Sequence, residues 1–421
     1  MNMMSILILF VGLLLYAGYG VAGLVYLLSA TGLTYLLGRL IPKNRWLLWA
    51  GIIWNAAIVS LLKLQGILPL KLFAVMGISY FSLQSISYLT DIYRGKFPPE
   101  KRFFRFALYF TYLPHLFIGP IERYDVFAPR LFEQRRMCWD GVLHGCARAL
   151  WGGVKKLVIA ARLGVVIGQI AGAPDKYSGA YALAAMLLYS LQLYADFSGG
   201  MDMVIGISEM LGIRMSENFD RPYFSQSVKE FWNRWHMTLG TWLRDYVYIP
   251  LGGNRAGKAR KLLNTLVTFF VSGFWHGANY LLWGLLNGVL VSLGNKLTTK
   301  SKTVNRAITF VLISLLWSFF IWPDAKTALQ MTLSVVTVFN YGEVFSGIAA
   351  MGLTMGDWIV LAAALIALWQ YDWHAKSFEN WFCTRSAAVK TAVIGTLAML
   401  VLVFGMYGLG FEADAFIYSR F

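Results

Sequence analysis

The sequence predicts an all-α polytopic membrane protein of about ten to twelve transmembrane or re-entrant helices, and three observations predict it. Apolar residues make up 58% of the 421 and charged residues only 14%, whereas a soluble domain carries about 25% charged residues. The charges are also excluded from long runs: none occurs in Met1–Gly38, Trp46–Leu62, Leu72–Thr90, Phe106–Ile121, Tyr177–Ala195, Leu262–Asn295, Ala307–Pro323, Thr327–Gly342 or Thr391–Phe411. Finally, the 37 Lys and Arg, against 21 Asp and Glu, gather in the short segments between those runs.

Taken in order, the runs suit helices, since about 20 apolar residues rising 1.5 Å each cross the hydrocarbon core. Barrel strands would alternate apolar and polar residues over roughly ten positions instead. Met1–Gly38 and Leu262–Asn295 are long enough for two crossings, or a crossing and a re-entrant piece. The first run lacks a basic leader and a small-residue cleavage site, so it reads as a retained span. The expected organisation is one integral membrane domain over 1–421: N-terminal spans in 1–76, a polar-motif core in 77–295 and C-terminal spans in 296–421.

The net charge of +16 sits mainly in Arg39–Arg45, Arg94–Arg105, Arg123–Arg136, Arg244–Lys261 and Lys296–Arg306. That placement fits cytoplasmic loops facing anionic lipid headgroups, not a nucleic-acid surface. Arg94–Arg105 and Arg244–Lys261 are therefore expected on the cytoplasmic side. Cys138, Cys146 and Cys383 have neither metal-like spacing nor an even count, so neither a disulfide framework nor a zinc site is indicated.

Polar residues at membrane depth are costly and normally face a cavity or a partner, and three stretches contain them. In Leu191–Met203, Asp196 and Asp202 flank Ser198, Gly199 and Gly200. The glycines permit close backbone approach or a helix break. The stretch is then either a structural bend satisfied by the carboxylates or the wall of a substrate cavity. In Asn218–Arg255, Trp232, Trp235, Leu239, Trp242 and Tyr246 recur at helical spacing. Ser225 or Ser227 can cap the start, and Pro250 with Gly252–Gly253 ends the element. This predicts a helix at the membrane–water interface, with His236 beside Trp235. In Val271–Asn279, His276 is the only side chain of its run that titrates near neutrality. Gly273 and Gly277 flank it and Asn279 follows, a placement that favours close approach of a substrate over mere helix packing.

Histidine is the one side chain whose unperturbed pKa lies near neutrality, and burial favours its neutral, proton-accepting form. Acyl transfer from a thioester to a hydroxyl needs such a base plus carbonyl polarisation, and no metal. Gly-x-Ser-x-Gly, His-Glu-x-x-His and the complete phosphate-binding Gly-x-x-x-x-Gly-Lys-Ser/Thr segment are all missing from the sequence, Ala259 following the Gly252–Lys258 spacing, which argues against a serine hydrolase, a zinc protease or a P-loop ATPase.

A series of motifs resembles the membrane-bound O-acyltransferase superfamily, in its bacterial alginate O-acetyltransferase-like branch, from about Gly77 onward. The motifs are Gly77–Gly95, Gly119–Pro–Ile–Glu–Arg–Tyr124, Asp196–Phe–Ser–Gly199 with Asp202–Met203, and Glu217–Asn–Phe–Asp–Arg–Pro–Tyr223. Glu230–His236 follows, then Trp242–Tyr246, Ile249–Asn254, Trp275–His–Gly277 and the closing Phe416–Phe421. The resemblance implies tilted helices around a tunnel, with His276 as the essential histidine and His236 as a second recurrent polar position. It implies acetyl-CoA as a cytoplasmic donor substrate, with no tightly bound cofactor. The implied acceptor is an extracytoplasmic partner of the SGNH-hydrolase type or the polysaccharide itself. Asp196, Ser198, Trp235, Arg244, Trp275 and Asn279 are the expected substrate-binding residues, with Arg244, Arg255 and Lys258 near the CoA phosphates. The chain departs from the pattern at Asn287–Gly288, where a His–Gly pair is usual, and at His115, where glutamine is common. His115 and His144 are expected to be structural, and His374 to lie in a loop with Asp372. The alternative activity is D-alanyl transfer from a carrier-protein thioester toward teichoic acid. A transporter is disfavoured because the first half holds no counterpart of Trp275–Gly277.

Overall fold

The computed structural model describes residues 3–64, 77–133, 137–255 and 257–407. The closing motif Phe416–Phe421 lies outside the described residues. Helices follow one another as α1 (Met3–Ala17), α2 (Val21–Leu40), α3 (Arg45–Lys63), α4 (Ile78–Tyr93), α5 (Phe103–Phe110), α6 (Leu113–Phe117), α7 (Tyr124–Phe132), α8 (Trp139–Gly153), α9 (Ala161–Gly172) and α10 (Ala180–Met210). The chain continues through α11 (Val228–Arg234), α12 (Met237–Leu243), α13 (Gly257–His276), α14 (Leu281–Leu293), α15 (Lys302–Leu316), α16 (Ser318–Ile321), α17 (Ala325–Thr337), α18 (Val344–Ala349), α19 (Met355–Cys383) and α20 (Ala387–Phe404). There is no strand among the described residues. The fold is thus the all-α polytopic membrane class that the uncharged runs predict. Four helical stretches among the described residues are long and apolar enough to cross a membrane: Val21–Leu40, Arg45–Lys63, Lys302–Ile321 and Ala387–Phe404.

Both of the longest uncharged runs divide in two, as their length requires. Met1–Gly38 becomes α1 and α2, turning at Gly20 with φ +129. Leu262–Asn295 becomes the end of α13 and α14, turning at Gly277 with φ +144, a conformation open to glycine and rarely to other residues. The two basic loops expected on one side touch each other: an Arg94 guanidinium N–H donates to the Asp245 main-chain carbonyl at 3.3 Å.

The central element is α10, packed on α8, α9, α15 and α17. It runs unbroken through Ser198–Gly200, so the glycines do not bend it. They serve close approach instead. A Cβ on Gly199 would lie 2.7 Å from the Gly152 carbonyl oxygen of α8, and Gly145 and Gly206 repeat the arrangement one stage along. Glycine costs about 1 kcal/mol in a helix interior, and here the near contact of two backbones offsets it. Between α8 and α9 the chain takes a π-helical stretch, Val154–Ala160, which turns Lys155 and Lys156 toward α10. In α19, His374 lies in a helix kinked at that residue (φ −111, ψ 15), not in a loop, and Asp372 accepts a hydrogen bond from Tyr194 at 2.9 Å.

Candidate active site

The site is built from two interruptions in the helices. The helix expected over the Trp232–Tyr246 stretch is broken: α11 ends at Arg234, Trp235 is extended and His236 is left-handed at φ 45 before α12 begins. Ser227 caps the start, accepting from the Glu230 amide at 3.2 Å. A left-handed residue other than glycine costs about 1–2 kcal/mol, so tertiary bonds must hold it. They come from Asn218, whose main-chain carbonyl accepts from the Met237 amide at 3.0 Å and whose side-chain Oδ1 accepts from the Thr238 amide at 3.0 Å. The break also redirects the aromatic face. Trp235 and Trp242 are buried in the protein, not spread along a membrane surface.

His276 closes α13, just before the Gly277 turn. Gly273 lies against α14, where a Cβ would sit 2.5 Å from the Tyr280 carbonyl oxygen. Gly273 therefore serves helix packing and Gly277 the turn, a correction to the expectation that they admit substrate to the backbone. The His276 ring is set among aromatic edges: Trp275 at 4.8 Å, Trp283 at 5.4 Å and Phe320 at 5.6 Å between centroids. Trp275 in turn stands 6.2 Å from His236. The two histidines, distant in sequence, are thus brought to one place.

They share a cavity of about 1160 Å³. Its buried end holds His236, His276, Ser272, Trp235, Trp283 and Trp317, and its exposed end holds Arg244, Lys258, Lys261 and Lys296. At that exposed end Arg244 and Arg123 both pair with Asp245, at 2.7 and 2.6 Å. Burial pushes the Asp245 carboxyl up, but those guanidinium bonds outweigh it and hold it below the usual carboxylate range. Two histidines at the bottom of an aromatic shaft, with cations at its mouth, make a space that could take an anionic molecule on an uncharged arm.

Residues 98–322 match the membrane-bound O-acyltransferase family. The "Probable alginate O-acetylase AlgI" of Pseudomonas fluorescens is 37% identical over 357 residues, 80% of this chain and 71% of that protein. The chain belongs to the membrane-bound O-acyltransferase family. It is an O-acyltransferase and a membrane protein. More distant similarity extends to the peptidoglycan O-acetyltransferase of Helicobacter pylori, 31% identical over 63% of this chain and 58% of the relative. It also extends to the teichoic acid D-alanyltransferase of Bacillus subtilis, 29% identical over 54% of this chain and 60% of the relative.

The other expected site residues of this O-acyltransferase are distributed unevenly. Trp235 and Arg244 line the cavity, and Trp275 packs between its histidines. Asn279 is exposed beyond the turn, donating to the Pro323 carbonyl at 3.4 Å. Asp196 and Ser198 are not among the cavity-lining side chains. Asp196 pairs with Lys156 at 2.5 Å, and Ser198 accepts from Lys155 at 3.0 Å. His144 pairs with Glu209 at 2.9 Å, and His115 packs among Tyr109, Tyr112 and Phe127. Asn287 fills its unusual position by accepting from Trp232 Nε1 at 3.0 Å, which fixes that indole beside Trp283. Sequence reasoning missed Asn218 as the partner of His236, and Thr238 as the partner of Asn218. Asn218 lies within the Glu217–Tyr223 motif, but only the fold brings it to the histidine.

Proposed function

We propose that this O-acyltransferase takes an acetyl group from cytoplasmic acetyl-CoA and passes it across the inner membrane, which it spans several times. The acceptor is a hydroxyl on an extracytoplasmic glycan, or on an SGNH-type partner that modifies the glycan. The observation that carries this reading is the cavity joining exposed Arg244, Lys258, Lys261 and Lys296 to buried His276. The cations pair with the phosphates of CoA, the pantetheine arm lies along the aromatic shaft, and the thioester carbonyl comes to rest at the histidines. His276 accepts the proton of the acceptor hydroxyl as its oxygen attacks that carbonyl. The carbon–sulfur bond breaks, and the CoA thiolate leaves and takes up a proton. An acyl-histidine formed and resolved in two such steps has the same balance. General-base catalysis of this kind contributes about 10²–10⁴-fold.

Membranes incubated with acetyl-labelled CoA test the reading. Label should reach an extracytoplasmic protein or glycan, and a folded His276→Ala protein should lose about 1000-fold in rate. Wild-type transfer by that variant would remove His276 from the chemistry. Transfer only from a charged carrier protein, never from acetyl-CoA, would reassign the donor to the D-alanyl type known by name among the relatives.

A further inference from the structure

The Asn218 side chain has all its hydrogen-bonding capacity accounted for, and the account decides where the proton on His236 resides. An amide oxygen offers two lone pairs and its nitrogen two hydrogens. Oδ1 accepts from the Thr238 amide at 3.0 Å and from the Thr238 hydroxyl at 2.9 Å. That hydroxyl is itself oriented, because Thr238 Oγ1 accepts from the Ile121 amide at 3.0 Å and so must point its hydrogen elsewhere. Both lone pairs of Oδ1 are then occupied, although His236 Nδ1 stands 3.2 Å away. The Asn218 amino group lies 3.1 Å from the same Nδ1 and 3.6 Å from the Met201 sulfur. Its two hydrogens therefore go to Nδ1 and to Met201. All of these groups are buried, Asn218 at 1% exposure and His236 at 3%, so a swap would leave a donor facing a donor.

We infer that Asn218, locked by Thr238, holds His236 as the tautomer protonated on Nε2, making His236 a hydrogen-bond donor in the cavity and not a second base. Asn218 and Thr238 are positioning residues in this account. The division of labour rests on the reading of His276 as the base: one histidine accepts the hydroxyl proton, and the other donates to the oxygen that gains negative charge as the thioester is attacked. Preorganised donors of that kind serve without rearrangement during the reaction.

Nitrogen-15 NMR of the full-length protein, labelled at histidine and held in lipid nanodiscs, tests the tautomer directly. The His236 signals are assigned by their loss in His236→Gln. The expected pattern is a protonated Nε2 and a bare Nδ1, and a protonated Nδ1 would overturn the inference. Asn218→Asp keeps the oxygen that Thr238 binds but replaces the amino donor by an acceptor. It should move the proton to Nδ1 and lower kcat about 100-fold, with KM for acetyl-CoA within about twofold. Wild-type kcat in a folded Asn218→Asp protein would equally overturn it. Should that variant not fold, Thr238→Val and Thr238→Ser decide. The first frees the amide to rotate and should give mixed tautomers with reduced kcat, and the second should restore both. Equal behaviour of the two Thr238 variants would count against the lock. If His276→Ala proves active, the base assignment falls, while the NMR pattern still reports on Asn218 and His236.

Discussion

Two groups of polar side chains in this fold are built on different rules. Along α8, the π-helical stretch and α10, every charge meets an opposite one: Arg148 with Asp202 and Glu217, Lys155 with Asp202, Lys156 with Asp196. Around the cavity, His276 and His236 sit among indoles, while the cations Arg244, Lys258, Lys261 and Lys296 line the mouth of an open space. The first group resembles a fastener between helices whose glycines let the backbones nearly touch. The second leaves open volume beside its charges. Charge pairing between helices thus dominates the first group, and open space beside aromatic rings and cations the second.

That contrast can be broken most forcefully at Asp202. Removing one partner of a buried ion pair costs about 3–5 kcal/mol, so Asp202→Ala should unfold the protein far more readily in a thermal melt in detergent. The specific activity of the fraction that remains folded should stay near wild type, and a selective loss of activity would place the ion network in the catalytic site after all. At the mouth of the cavity the order reverses. Lys258→Glu combined with Lys261→Glu should leave the melting temperature unchanged and raise KM for acetyl-CoA about tenfold, an effect that shrinks as salt is added. Asp196→Asn sharpens the comparison further. It leaves Lys156 without its counter-charge and should cost about 1 kcal/mol of stability with an unaltered KM, whereas a change in KM alone would make Asp196 a substrate contact. The smallest effect concerns Asp245. Its folded carboxyl titrates below the unfolded one, so its contribution is present above the unfolded value and is lost as pH falls through the folded value. Asp245→Asn should flatten that acid limb in a melt followed against pH, and an unchanged limb would show that the Arg123–Asp245–Arg244 contact is energetically idle.

Much of this was legible beforehand, and what was not has physical causes. Helix positions followed from where charge is excluded, and His276 from being the one near-neutral titrating group in a long apolar run. The break at Trp235–His236 was hidden because Trp232, Trp235, Leu239 and Trp242 keep helical spacing across it, with neither Gly nor Pro to mark the interruption. The left-handed turn is imposed by Asn218, eighteen positions earlier, which no local pattern reports. Asp196 and Ser198 read as cavity residues because a sequence shows a carboxylate at membrane depth but not the Lys156 opposite it. Gly199 and Gly200 could equally have meant a bend, and only the approach of Gly152 to Gly199 distinguishes the two.

Helix α13 has one further consequence. Lys258 and Lys261 stand on its first turns and His276 on its last residue, so one helix holds these cations and the histidine at a set separation. At 1.5 Å per residue, Lys261 and His276 are about 22 Å apart along the axis. Under the proposed reading the helix acts as a gauge, matching a donor whose charged head and acyl carbon are held apart by an arm of that reach. That reading predicts that shorter thioesters inhibit by occupying the mouth but are not turned over, so discrimination by length needs no contact with the acyl group itself.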